Sequence, residues 1–218
     1  MTQRDLVIID SGGANIASVL FAFERLGQKA ELTADPDKIN AASHVILPGV
    51  GAAADAMKKL RAQDGLIDCI RGLTQPVMGI CLGMQLLFSF SEEGDVDLLG
   101  LIDGRVSKFK QRSADMTIPH MGWNNVVLEQ PDHPLLQNVG QNVGQNVGQN
   151  VGQNPAQSPF FYFVHSYRAD MNDHTIGRCT YGDDFTAIVA QGNVAGCQFH
   201  PERSGKAGAK ILENFLAL

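Results

Sequence analysis

Val77-Met78-Gly79-Ile80-Cys81-Leu82-Gly83-Met84-Gln85-Leu86-Leu87-Phe88 runs from an apolar, strand-like stretch through a glycine-flanked cysteine into a helix-like stretch. A strand that turns sharply into a helix with a nucleophile at the corner is the setting of a nucleophile elbow, here with Cys in the usual place of Ser. Gly79 and Gly83 stand two residues either side of the cysteine and let neighbouring elements approach with no Cβ in the way. A cysteine without context is a small core residue. Cys81 has context. It sits where open α/β sheets place their active sites, and a helix N-terminus favours its thiolate. Cys69, Cys179 and Cys197 lack such a setting and are read as core residues.

The elbow predicts strands before it and helices between them. Leu6-Val7-Ile8-Ile9 reads as a fully buried strand, followed by the loop Ser11-Gly12-Gly13-Ala14-Asn15. Ile16, Val19, Leu20 and Phe23 recur at helical spacing, and Gly27 stops that helix. A second strand is expected over 29–33. A third, His44-Val45-Ile46-Leu47, ends in the loop Pro48-Gly49-Val50-Gly51. Helices are expected over 52–60 and 65–71. Strands alternating with helices imply an α/β three-layer sandwich, with a mostly parallel central sheet and helices on both faces. The second half changes character: short β-rich runs at 125–128, 160–167, 186–191 and 194–199 predict antiparallel additions, before a last helix over 205–218.

Gln-Asn-Val-Gly occurs four times in tandem over 137–152, and Gln153-Asn154 begins a fifth unit. One Val per four-residue unit cannot build a core, so the segment is read as an expanded surface loop. The expectation is one domain over 1–218 with a low-complexity insertion at about 137–154.

At 218 residues and 44% hydrophobic content the chain can bury a sizeable core. A formal net charge of −6 gives no basic footprint for nucleic acid. The apolar runs are too short to cross a bilayer, and the first residues lead into a strand rather than a secretory leader. The four cysteines show neither paired nor metal-type spacing, which predicts a reduced, cytoplasmic protein without a metal site. The loop at 11–15 lacks the Gly-x-Gly-x-x-Gly pattern of dinucleotide sites, so no NAD, FAD or other cofactor is expected.

His200-Pro201-Glu202 supplies what a cysteine nucleophile needs. A residue before proline is pushed into extended geometry, and residues two apart in an extended chain project to one side. His200 and Glu202 can thus face the thiol together, as base and orienting carboxylate of a Cys81-His200-Glu202 triad. His44, His120, His133 and His174 receive no catalytic part. Acyl transfer also needs donors for a developing oxyanion. The N–H of Leu82, just after the nucleophile, is one by the geometry of an elbow. Gly49-Val50-Gly51 is the candidate for the second, because glycines let a peptide rotate its N–H towards a substrate.

These residues resemble the class I (triad-type) glutamine amidotransferases, on Gly79-Ile80-Cys81-Leu82-Gly83-Met84-Gln85, Pro48-Gly49-Val50-Gly51 and Gln198-Phe199-His200-Pro201-Glu202. Pro119-His120-Met121-Gly122-Trp123-Asn124 and Phe161-Tyr162-Phe163-Val164-His165-Ser166-Tyr167 narrow the resemblance to the glutaminase subunits of imidazole glycerol phosphate synthases. It covers the chain apart from the repeat and implies a flavodoxin-like amidotransferase fold. It implies that Cys81 attacks the side-chain amide of glutamine, His200 moves the proton and Glu202 orients His200. Gln85, Glu93 and the backbone at Ser166-Tyr167 would hold the amino-acid end of the substrate. Read without the resemblance, Gln85 is a helix-surface amide and Glu93 a solvated loop carboxylate. The resemblance further implies a (β/α)8-barrel cyclase subunit as heterodimer partner and receiver of ammonia. Asn15, Trp123, Tyr162 and Arg203 would lie at the interface and its gate, although a lone Trp is ordinarily a core anchor. Ser11 and Ala14 depart from the family pattern, which has an aromatic residue and a glycine there.

Three other readings remain open at this level. One is a glutaminase serving another synthase, such as anthranilate or pyridoxal phosphate synthase, against which the His-Met-Gly-Trp segment stands. Another is a stand-alone cysteine hydrolase. The third is a regulatory module that keeps the fold and not the catalysis, against which the intact Cys81, His200 and Glu202 stand.

Overall fold

The computed structural model describes residues 4–11, 16–140 and 158–218. The first half follows the strand–helix alternation: β1 (Leu6–Ile9), α1 (Ile16–Arg25), β2 (Ala30–Thr33), α2 (Pro36–Ala41), β3 (His44–Gly49), α3 (Ala53–Arg61), α4 (Leu66–Gly72), β4 (Val77–Cys81) and α5 (Leu82–Leu86). Then come β5 (Phe90–Ser91), β6 (Val96–Asp97), β7 (Arg105–Lys108), β8 (His120–Asn125), β9 (Val127–Leu128) and a 3₁₀ turn at Pro134–Leu136. The chain closes with β10 (Phe160–His165), β11 (Tyr167–Ala169), β12 (Thr175–Tyr181), β13 (Asp183–Gln191), β14 (Val194–Cys197), a 3₁₀ turn at Pro201–Arg203 and α6 (Gly205–Phe215).

The main sheet runs β2-β1-β3-β4-β14-β13-β11-β7-β5-β6, with β12 beside β13 and β9 beside β12. From β2 to β14 every neighbour is parallel. From β14 outward the pairs β13–β14, β11–β13 and β7–β11 are antiparallel. The expected parallel sheet with antiparallel additions is present. The sequence places β14 among the additions, whereas it ends the parallel run that begins at β2, beside β4 (Val194↔Val77, Cys197↔Ile80). This placement brings the segment after β14, which carries His200, next to the end of β4, which carries Cys81.

Strand alternation divides the core in two. Leu6, Ile8, Ile46, Met78 and Ile80 face a layer shared with α1 and α6. Val7, Ile9, Val45, Leu47 and Val77 face a layer shared with α2, α3, α4 and α5. Burial on both faces is why these strands read as continuous apolar runs. Phe23, Phe161, Phe163, Phe199 and Phe215 are buried in the first layer, each contributing about 1.5–3 kcal/mol by removal from water.

Several boundaries differ from the sequence reading. Pro48 and Gly49 continue β3, opposite Ile80 and Cys81, rather than opening a loop. The run at 125–128 divides between β8 and β9, and the run at 160–167 divides at Ser166 between β10 and β11. β8 and β10 form their own antiparallel pair, with Trp123 opposite Tyr162 and His120 opposite His165. α2 is an element beyond those expected; the Asp35 side chain caps it by accepting from Asp37 N–H at 3.0 Å, with Pro36 in its first turn. The first repeat unit, residues 137–140, belongs to the fold: Val139 is buried in the first layer, and Asn214 of α6 donates to the carbonyls of Leu135 and Gln137 at 2.9 and 2.8 Å. The rest of the repeat lies outside the described residues. Among the described residues, no helix is long and apolar enough to cross a membrane.

Candidate active site

Cys81 ends β4 and stands as N-cap of α5 with φ 54° and ψ −112°. Positive φ in a non-glycine residue is costly and marks a position fixed by its surroundings. Close packing of the neighbouring peptides supplies that fixation. A Cβ on Gly83 would lie 1.8 Å from the Leu47 carbonyl oxygen, one on Gly79 would lie 2.6 Å from Gly83 O, and one on Gly49 would lie 2.6 Å from Gly83 N. The elbow is wedged against β3, and bare peptides are what let it fit.

The thiol opens on a cleft of about 430 Å³ lined by Val50, Gly51, Leu82, Gln85, Glu93, Val164, His165, Ser166, Tyr167, His200 and Arg203. His200 Nδ1 is 2.8 Å from Glu202 Oε1, with the imidazole almost covered and the carboxylate fully so. Burial alone disfavours a charged His200, but hydrogen bonds and charge from Cys81 and Glu202 outweigh it and hold the imidazole up at about 10. At neutral pH the proton therefore rests on His200, between the Cys81 sulfur and the Glu202 carboxylate, the order in which a base and its orienting group serve a nucleophile.

The backbone around His200 is tied to β10. His200 N–H donates to Tyr162 O at 2.9 Å. Tyr162 N–H donates to Ser204 Oγ at 3.0 Å, and that hydroxyl donates to His200 O at 2.6 Å.

The residues expected to hold substrate are in the cleft, but not in the surroundings their local sequence suggests. Gln85 is buried rather than a helix-surface amide, because α5 packs on the central strands β3, β4 and β14; its Nε2 donates to Tyr167 O and to Gln198 Oε1, each at 2.8 Å. Glu93 is half-buried rather than solvated. Its Oε2 accepts from Ala53 N–H at 2.8 Å at the start of α3, while burial raises its carboxyl above the usual range. Ser166 O accepts from Phe109 N–H at 3.1 Å. Of the expected oxyanion strand, Val50 and Gly51 line the cleft, whereas Gly49 faces a small crevice behind it with His200 and Glu202.

The interface candidates cluster as well. Trp123 is 56% exposed rather than a core anchor, because β8 turns it outward beside the exposed Met121. It meets Tyr162 edge-on at 6.1 Å, and the Arg203 guanidinium lies over the Tyr162 ring at 4.7 Å. Asn15 and Ala14 lie outside the described residues. Ser11 is buried and donates to Pro48 O at 3.2 Å, one residue before Gly49.

Two side chains near the cleft have no role in the sequence reading. His165 lines it from β10 and pairs with His120 behind it. Gln198, fully buried, brings its Nε2 to 3.9 Å from Cys81 Sγ. Its signal is its spacing: it stands two residues before His200 in an extended stretch, on the same side.

Comparison with known proteins accords with this geometry. The class-I glutamine amidotransferase model matches residues 7–218. The chain is 47% identical over 214 residues, 98% of each chain, to imidazole glycerol phosphate synthase subunit HisH of Pasteurella multocida. It is 44% identical over the full length of both chains to the protein of that name from Vibrio parahaemolyticus. Among solved structures, PurLQS from Thermotoga maritima superposes with a TM-score of 0.71 at 21% identity over 99% of each chain, a likeness of fold. With the elbow, the cleft and a match that runs from β1 to the last residue, the chain belongs to the class-I glutamine amidotransferase family.

Proposed function

We infer that the chain is the glutaminase subunit of an imidazole glycerol phosphate synthase and hydrolyses glutamine to glutamate and ammonia for histidine biosynthesis. The observation that carries the chemistry is Cys81 held at positive φ in the cleft, hydrogen-bonded to a His200 whose far nitrogen is 2.8 Å from Glu202. Relatives named as that subunit over nearly the whole length support the biological assignment.

In the proposed sequence the Cys81 thiolate attacks the side-chain carbonyl carbon of glutamine. Negative charge moves to the carbonyl oxygen, with the Leu82 N–H and a peptide N–H of the strand at Gly49-Val50-Gly51 as donors. Leu82 opens α5, and the first N–H groups of a helix have no partner within it. His200 gives its proton to the leaving nitrogen, the C–N bond breaks, and ammonia departs from a γ-glutamyl thioester. His200 then takes a proton from water, which attacks the thioester and releases glutamate and the thiolate. Gln85, Glu93 and the Ser166-Tyr167 backbone hold the amino-acid end.

The proposed partner is a (β/α)8-barrel cyclase subunit, docked on the face that carries Trp123, Tyr162 and Arg203, with Asn15 as a further contact. One domain over 1–218 is proposed, with the repeat as insertion, because β14 joins β4 to β13 and leaves no boundary between the halves. The deciding experiment is glutamate release measured with and without the cyclase subunit and its phosphoribosyl ligand. Turnover that rises with the liganded partner supports the reading. Full turnover without a partner points to a stand-alone hydrolase, and none from folded protein in either condition overturns the enzymatic reading.

A further inference from the structure

Gln198 is fully buried, and a buried carboxamide needs partners for two N–H donors and one oxygen. Its orientation can be deduced. The Tyr167 carbonyl accepts only, so the Gln85 atom 2.8 Å from it is the nitrogen. That same nitrogen is 2.8 Å from Gln198, so the Gln198 atom it meets is the oxygen. The Gln198 nitrogen is thereby left facing Cys81 Sγ at 3.9 Å, the long end of reach for a sulfur acceptor. On another side of the sulfur, also at 3.9 Å, is the Val164 carbonyl, which cannot donate to a thiolate. A single backbone oxygen thus sets the direction of two carboxamides in series and ends the chain in an N–H aimed at the nucleophile.

We propose that Gln198 is a further catalytic residue: its carboxamide donates to the Cys81 thiolate, and through Gln85 it ties the state of the sulfur to the part of the cleft that receives the amino-acid end of the substrate. The proposal rests on the reading of Cys81 as nucleophile. Two consequences follow from the geometry. An N–H beside the sulfur favours the anion without competing with His200 for the transferred proton. A substrate that grips the Gln85 oxygen polarises the Gln85 N–H groups, strengthens the bond to Gln198 and, through it, the donor to sulfur.

The test is the pH dependence of iodoacetamide alkylation at Cys81, located by peptide mass spectrometry, in wild type, Gln198→Glu and Gln198→Met. Glu keeps the volume and an acceptor for Gln85, and replaces the donor at sulfur by an oxygen. Met removes the donor with no charge. The expected result is a rise of at least about one unit in the pH midpoint of alkylation for Gln198→Glu, with roughly tenfold slower labelling at pH 7, and a smaller rise for Gln198→Met. Glutamine turnover should show the loss in kcat more than in KM. Unchanged midpoints in both variants, with a native circular dichroism spectrum, overturn the proposal. If Glu at this position prevents folding, the Met variant alone decides, by a raised or an unchanged midpoint. Wild-type protein that labels Cys81 no faster than Cys69, Cys179 and Cys197 overturns the reading of Cys81 itself, a separate failure.

Discussion

His120 Nδ1 lies 3.0 Å from His165 Nε2, buried behind the cleft. His165 Nδ1 donates to Tyr167 O at 2.8 Å, which leaves its Nε2 as an acceptor and requires the proton on His120 Nδ1. Asn124 Nδ2, 3.3 Å away, then serves His120 Nε2. Each ring nitrogen has a partner only while both rings are neutral; a further proton would set donor against donor. Burial, above all, holds His165 down at about 3 and His120 at about 4.

The neutral pair makes the fold sensitive to acid. Below the ordinary histidine value of 6.5 the unfolded chain takes up protons that the folded pair refuses until pH falls to about 3–4. Stability from this source is present above 6.5 and is lost as pH falls, by up to about 1.4 kcal/mol per pH unit for each histidine. Urea unfolding at pH 7 and pH 5 should show the loss. In His120→Gln the pH slope should shrink by one proton, and an unchanged slope would assign the acid sensitivity elsewhere.

His200 works in the opposite direction. Its proton is retained up to about 10, so the general acid for ammonia departure stays available across neutral and mildly alkaline pH. The kcat/KM for glutamine should fall as pH rises through about 10. Glu202→Gln removes the charge 2.8 Å from Nδ1, and should lower kcat by about a hundredfold or more while moving the alkaline limb to lower pH. An alkaline limb that stays in place would show that Glu202 does not hold the proton.

Glycine at the elbow is required by space. Gly83→Ala drives a methyl to 1.8 Å from Leu47 O, in β3, and should cost more than about 3 kcal/mol in urea unfolding and abolish turnover. Gly72, in the last turn of α4, has no positive φ, and a methyl added there would meet nothing within 4 Å. Gly72→Ala should stabilise by about 0.5–1 kcal/mol with activity unchanged.

The tandem repeat divides at its first unit. Excising two Gln-Asn-Val-Gly units after Gly140 should leave glutamine turnover within about twofold, since loop length costs little free energy. Asn214→Leu is expected to behave differently. It leaves the buried Leu135 carbonyl, and the partly covered Gln137 carbonyl beside it, without their donor and should cost about 1–3 kcal/mol. A tenfold loss of turnover on excision would give the repeat a part in function.

The elbow, the first three strands and the His200 segment are legible because each rests on local chemistry: apolar runs, glycine spacing and a proline that extends its neighbour. Gln85 and Glu93 are misplaced by their residues alone because their burial comes from distant partners, Tyr167 and Ala53, that no local pattern encodes. Trp123 fails in the other direction. Among the described residues its strand pairs with β10 alone, and one face of that pair is left outside and carries the indole. Gly49 reads as loop because Pro-Gly punctuates turns, yet parallel pairing with β4 overrides that signal. α2 carries a readable Asp-Pro start, but so short a helix shows little apolar periodicity.

The Ser204 hydroxyl accepts from the Tyr162 amide and donates to the His200 carbonyl, while the His200 amide returns a bond to the Tyr162 carbonyl. These bonds close a loop that works as a rigid linkage between the outward-facing strand and the backbone of the proton carrier. Hydrogen bonds weaken steeply once stretched or bent. A push of more than a few tenths of an ångström on the Tyr162 peptide must therefore either snap that linkage or drag the imidazole's own anchor along with it.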